Sequence, residues 1–117
     1  IFIDLDGVLV ENSSQYLGKR WGETKELNKN VQFIRELKKQ NKSKIIITTS
    51  RKESFRKETI DQLNRLDIPF DDIIFDLFHC QRILINDYAP TNPKPTACSL
   101  NLQRDLDGDL KREWGNI

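Results

Sequence analysis

Asp4 and Asp6 are the residues of this sequence best placed to do chemistry. They follow an apolar run, Ile1-Phe2-Ile3, and stand two apart just before Gly7. In an extended chain, residues i and i+2 project to the same side, so the two carboxylates share a face. Two carboxylates that close repel each other, and both stay ionised only with a cation between them. Hard oxygen donors of this kind suit Mg²⁺. A calcium loop fails on register: with Gly7 at loop position six, position one is Phe2 and position twelve is Ser13. The plain alternative is an acidic turn on the surface.

Several elements must position such a pair. Ile1 to Ile3 are apolar at consecutive positions, which predicts a strand buried on both faces of a parallel sheet. Asp4 then stands at its carboxyl end, where open α/β sheets bind ligands. A β-branched run, Lys44-Ile45-Ile46-Ile47, predicts a second strand ending in Thr48, Thr49, Ser50 and Arg51. Between them, Asn28 or Asn30 is suited to cap a helix with Val31, Phe33, Ile34 and Leu37 as its apolar stripe, ended by Asn41. Ser50 or Thr49 is expected to cap a further helix from about Lys52 to Leu66, whose amino end favours an anion. Ile73 to Phe75 predicts a short third strand. Only Asp76 to Gln81 separates it from a predicted fourth, Arg82 to Asp87, and Ala97 to Leu102 reads as a fifth, edge strand. Glu11 to Glu26, with Tyr16, Leu17 and Trp21, reads as a flap over the first strand end. Asp105 to Asp109 reads as a turn before a short helix holding Leu110 and Trp114. The order of elements is that of an α/β domain with a parallel sheet.

The chain has 117 residues, the size of one domain spanning 1–117, with a formal net charge of +1. That charge gives no global case for nucleic acid. The stretch from Arg35 to Lys57 is locally basic, which a solvated helix face explains more plainly than a binding patch. Cys80 and Cys98 have no metal-ligand spacing and fit a reducing compartment. No apolar run reaches membrane-spanning length and no signal peptide is visible, so the expected location is cytoplasmic and no membrane partner is expected.

Three strand ends thus converge by residue type: Asp4 and Asp6, then Thr48 to Arg51, then Asn86 and Asp87. A nucleophile, metal-ligand carboxylates and an anion nest together suit phosphoryl transfer. Asp4-Leu5-Asp6-Gly7-Val8-Leu9 resembles the first motif, DxDGxL, of the haloacid dehalogenase superfamily of phosphatases. Ile46-Ile47-Thr48-Thr49-Ser50-Arg51 resembles its second motif, and Leu84-Ile85-Asn86-Asp87 its fourth. The resemblance covers about residues 1 to 90. It implies a Rossmann-like three-layer sandwich with a mostly parallel five-stranded sheet. With so little sequence after the first motif and between the third and fourth strands, it implies no cap domain.

The resemblance also implies roles. Asp4 would be the nucleophile that forms an aspartyl-phosphate, a chemically reasonable task for a carboxylate. Asp6 would protonate the leaving oxygen and then activate water. Asp4, the Asp6 backbone carbonyl and Asp87 would hold Mg²⁺. Thr48 or Thr49 would hold the phosphate. The third-motif cation is not marked by a clear signature; Arg51, Lys57 and Arg82 are the candidates, with Arg51 first because it stands at the phosphate end of the sheet. The fourth motif is usually two acids and here is Asn86-Asp87. His79 reads as a solvated loop residue. The expected activity is Mg²⁺-dependent hydrolysis of a phosphomonoester, a sugar phosphate or similar small metabolite. The alternatives are a phosphatase of nucleic-acid ends or phosphoproteins, and a non-catalytic binding module. An open site beside an apolar flap further suggests closure by a neighbouring copy in a homo-oligomer.

Overall fold

Three short β-branched runs make the sheet, and their register explains which side of it is buried. The computed structural model describes residues 1–14 and 20–117. Strands β1 (Phe2–Asp4), β2 (Ile46–Thr48) and β3 (Asp72–Ile74) pair in parallel in the order β1-β2-β3. Ile3, Ile47 and Ile73 are partners across the ladder and all are buried. Their neighbours point to the other face, where Phe2 is 61% and Ile74 43% exposed. Burial on both faces of the first strand is therefore corrected to burial on one, because Phe2 is left mostly exposed. Helices flank the sheet, but five strands are not formed: the described residues contain these three.

The helices follow the apolar periodicity. Helix α1 (Asn28–Lys39) buries Val31 and Ile34, and Lys38 and Lys39 in its last turn complement its dipole. Asn41 stops it in a left-handed conformation, φ 51°, as its residue type allows. A single 3₁₀ turn (Glu53–Phe55) leads into α2 (Arg56–Arg65), which buries Thr59, Gln62 and Leu63. Helix α3 (Asp109–Trp114) follows the acidic turn, as read from the sequence. Leu5, Leu9, Val10, Ile45, Leu63 and Leu110 join the sheet isoleucines in one apolar core.

The expected caps are supplied differently. Neither Asn28 nor Asn30 caps α1, and neither Thr49 nor Ser50 caps α2. Asp107 accepts the Asn30 amide at 3.0 Å, so a residue far along the chain serves the amino end of α1. The Asn30 side chain, freed from capping, donates to the Val8 carbonyl at 2.8 Å. Its oxygen accepts the amides of Gly108 at 3.0 Å and Leu110 at 3.2 Å. This buried amide joins the loop after β1, helix α1 and helix α3.

The predicted fourth and fifth strands lie outside the sheet, and the connection from β3 shows why. After β3 the chain stays at the carboxyl edge: the Asp76 amide donates to the Arg51 carbonyl at 2.9 Å and the Leu77 amide to the Thr49 carbonyl at 3.1 Å. Arg82 is still at that edge, with its guanidinium 4.0 Å from the Asp4 carboxylate. A parallel strand must start at the opposite edge, and the chain has not returned there. Ile83, Leu84 and Ile85 are exposed, Ile85 at 91%.

Candidate active site

The site begins with a tight turn that separates alternate side chains. Leu5 is fully buried in the core, which throws Asp4 and Asp6 to the other side, as their spacing predicts. The amides of Val8, Leu9 and Val10 all donate to the Leu5 carbonyl, at 3.3, 2.9 and 3.2 Å, and the Gly7 amide donates to Val10 at 2.7 Å. Gly7 has φ +88°, and a β-carbon there would lie 3.2 Å from the Arg104 side chain. The position requires glycine for its backbone angle and for this close approach.

Asp6 is held by a buried arginine. Arg51 is 0% exposed. It donates through Nε and Nη2 to both Asp6 oxygens, at 3.0 and 2.8 Å, in a bidentate pair. Its remaining nitrogen donates to Thr59 Oγ1 at 3.0 Å and Gln62 Oε1 at 2.8 Å. Gln62 in turn donates to the carbonyl and hydroxyl of Thr24, both at 2.9 Å. One network therefore links the turn after β1, the end of β2, helix α2 and the segment before α1. The Asp6 side chain keeps 16% exposure toward solvent.

Asp4 is left freer. Its half-exposed carboxylate accepts the Leu5 amide at 3.0 Å and faces Arg82 across 4.0 Å. Burial of the group raises its pKa above the ordinary carboxylate value; the Leu5 amide and the Arg82 charge pull it part of the way back. Asp4, Asp6, Ser50, Arg51, Arg82 and Arg104 line a common cavity of about 270 Å³, with His79 and Trp21 also on its wall. Trp21 packs edge-on against Phe55, ring centroids 5.0 Å apart, so this part of the flap lies on its own chain. Tyr16 and Leu17 lie outside the described residues.

The other expected site residues are distributed unevenly. Thr48 pairs with Asp4 in the sheet register, but its hydroxyl is directed to the Ile3 carbonyl at 3.5 Å. Thr49 is fully buried and accepts the Arg51 amide at 3.1 Å. Ser50 lines the cavity in their place. Lys57 pairs with Asp61 at 2.9 Å on the exposed side of α2. Of the three candidate cations, Arg82 is the one beside Asp4, while Arg51 is engaged with Asp6. Asn86 and Asp87 do not line the cavity; they are exposed and bond to Thr96 instead. This corrects the expected convergence of three strand ends to two, because the fourth strand does not form.

The basic stretch from Arg35 to Lys57 is largely spent within the fold. Arg35 donates to the carbonyls of Leu66 at 2.6 Å and Asp67 at 2.9 Å, and Lys38 pairs with Asp71. Arg56 pairs with Glu53. It therefore offers less positive surface than its composition suggests. Arg104 is a cavity residue that the sequence did not mark, while Ser50 belongs to the strand end expected to form the anion nest. No spacing rule marks Arg104, since it follows a segment with no strand among the described residues and reaches the cavity by packing over Gly7.

Among the described residues no three His, Cys, Asp or Glu side chains form a metal cage. The donors at hand do fit the looser manner in which Mg²⁺ is held by one or two carboxylates, water and substrate phosphate. Asp4 is exposed to the cavity and, among the described residues, has no cation closer than Arg82 to compete for it.

A family model described as the HAD domain in Swiss Army Knife RNA repair proteins matches residues 1–86. No curated protein and no solved structure matches the chain. No helix among the described residues is long and apolar enough to cross a membrane.

Proposed function

The chain belongs to the family of HAD domains in Swiss Army Knife RNA repair proteins, and from that premise we propose that it is a Mg²⁺-dependent phosphatase of RNA ends, acting through an aspartyl-phosphate on Asp4. The observation that carries the reading is the half-exposed Asp4 carboxylate, 4.0 Å from Arg82, which also donates to the Ser50 hydroxyl at 3.5 Å, in a cavity that also holds Asp6. The cavity, about 270 Å³, is at the small end for sites that enclose a whole ligand. It suits the end of a longer molecule better than a free metabolite. This shifts the preference from a sugar phosphate to a nucleic-acid end.

The residues divide the work as follows. Asp4 attacks phosphorus, forming the new O–P bond as the ester oxygen departs. Arg82 and the Ser50 hydroxyl are placed to hold the phosphate oxygens. Asp6 gives a proton to the leaving oxygen; water then gives a proton to Asp6 as its oxygen bonds to phosphorus, the Asp4 O–P bond breaks and inorganic phosphate leaves, which frees the Asp4 carboxylate. Although both Asp6 oxygens accept from Arg51, each keeps a further lone pair for that proton. Arg51 is thus a positioning residue. A bound Mg²⁺, held by Asp4 and the Asp6 backbone carbonyl, would supply charge neutralisation on the phosphate.

The test is phosphate release from short RNAs carrying a 3′- or 5′-phosphate, run beside a panel of sugar phosphates with Mg²⁺. The expected result is release from an RNA end, lost in Asp4→Asn. Release from sugar phosphates alone would return the smaller substrate class, and full activity in folded Asp4→Asn would refute the nucleophile.

A further inference from the structure

Arg104 is a cation at the cavity that the fold positions without pairing. Among the described residues it makes no hydrogen bond or ion pair, whereas Arg51 is committed to Asp6 and Arg82 leans on Asp4. Its backbone is pinned on both sides. The Gln103 amide donates to the buried Asp109 carboxylate at 3.0 Å. The Asp105 amide donates to the Gly7 carbonyl at 2.9 Å, and the Asp105 side chain accepts the Asn12 amide at 2.8 Å. The Arg104 stem lies over Gly7, at the distance that a β-carbon there would make too short. The acidic turn from Asp105 to Asp109 thus serves to fix this arginine against the catalytic loop.

The exposed guanidinium of Arg104 is free to meet an anion entering the cavity, and Arg82 already stands beside the nucleophile. We infer that Arg104 contacts a second negative charge on the substrate: the phosphodiester adjoining the terminal phosphate of a polynucleotide. This rests on the reading of the site as an RNA-end phosphatase and deepens it, since it names the feature that distinguishes a polynucleotide end from a mononucleotide. Arg104 lies beyond residues 1–86 that match the family, so the contact is a property of this chain's own C-terminal segment.

The experiment is fluorescence anisotropy with a labelled RNA trinucleotide bearing a terminal phosphate, measured on the Asp4→Asn protein to prevent turnover. Arg104→Gln keeps the aliphatic stem and removes the charge; Arg104→Lys keeps the charge. Arg104→Gln should weaken binding about tenfold, the worth of one charged hydrogen bond. It should also lower the salt slope of log K by about 0.7, the value of one phosphate contact on a single strand. Arg104→Lys should keep that slope. In the parent with Asp4 intact, Arg104→Gln should erase the preference for the trinucleotide over a nucleoside monophosphate. Unchanged affinity and slope in Arg104→Gln, equal losses on both substrates, or no binding of the trinucleotide by the parent would each overturn the contact. Arg104-dependent binding without phosphate release would instead sink the phosphatase reading and leave the contact standing.

Discussion

Replacing Arg51 by Met should be among the most damaging single changes to the fold. Met retains most of the stem and removes the charge and four side-chain hydrogen bonds, to Asp6 twice, Thr59 and Gln62. Deleting one member of a buried ion pair costs about 3–5 kcal/mol, because the other charge is left uncompensated. Asp6 keeps 16% side-chain exposure, which places its share near the lower figure, about 3 kcal/mol. The orphaned Gln62 carbonyl adds roughly 1 kcal/mol. A loss of about 4 kcal/mol is a large part of the 5–15 kcal/mol that holds a domain together. At about 4 °C per kcal/mol for a chain of this size, the midpoint should fall by roughly 15 °C. Urea unfolding followed by circular dichroism gives the number directly. Asp6→Leu should cost a similar amount, and the double variant less than the two losses added, with a coupling of at least about 2 kcal/mol. A loss below about 1 kcal/mol for Arg51→Met, or additive single changes, would show that the pair is not the anchor described here.

Four further outcomes test the site and its supports. Asp4→Asn should reduce turnover by on the order of 10³-fold or more. It should also stabilise the metal-free protein at pH 7: the folded pKa of Asp4 is raised, so its ionised form costs stability once pH exceeds that pKa. That gain should fade below about pH 4, where the carboxyl is protonated in both states; thermal melts with chelator at both pH values check it. Chelation should abolish turnover, yet Asp87→Ala should move the Mg²⁺ half-saturation less than about threefold, where even a supporting partner of a ligand is worth about 10–100-fold; a tenfold rise would mean that the 82–87 segment folds back onto Asp4. Gly7→Ala should lose about 1–2 kcal/mol from its left-handed backbone, measured by urea unfolding, and should weaken any role of Arg104 that depends on their close approach. Asn30→Ala should lose about 3 kcal/mol, from a buried amide serving three backbone groups; an unshifted unfolding midpoint would refute its part as a hub.

Local patterns announced the parts of the fold that local physics controls. The period of Val31, Ile34 and Leu37 gave α1, the β-branched run gave β2, and Asn41 stopped the helix where its type permits. The two-residue spacing of Asp4 and Asp6 gave their shared side, since alternation about buried Leu5 needs no tertiary information. The failures were those that distance decides. Ile83-Leu84-Ile85 has a strand's composition, but whether it joins a sheet depends on which edge the chain has reached, and the hydrogen bonds of Asp76 and Leu77 hold it at the carboxyl edge. Thr49 looked like a phosphate ligand because hydroxyls at a strand end often are, but its burial turns it inward to the Arg51 amide. Arg51 looked like a phosphate cation because of where it stands in sequence. Its actual partner, Asp6, is 45 positions away, and no pattern of spacing reports that pair.

The C-terminal segment is part of the frame that holds the cavity. Asp105 holds the amide of Asn12, Asp107 the amide of Asn30, and Asp109 the amide of Gln103. Each carboxylate of the acidic turn is therefore matched to a backbone donor, which accounts for its charge without a metal ligand role. Two of those donors lie toward the two ends of the flap, Asn12 just after the Asp4–Asp6 loop and Asn30 in the first turn of α1. The turn thus clamps the loop of Asp4 and Asp6 from outside while Arg51 clamps it from within. A tight loop that must keep two carboxylates on one side of a cavity gains its rigidity from these two independent sets of bonds, one of carboxylates to backbone amides and in part exposed, the other ionic around a fully buried arginine. Loss of the outer clamp should loosen the loop while leaving the Asp6–Arg51 pair formed, because no residue is shared between the two networks.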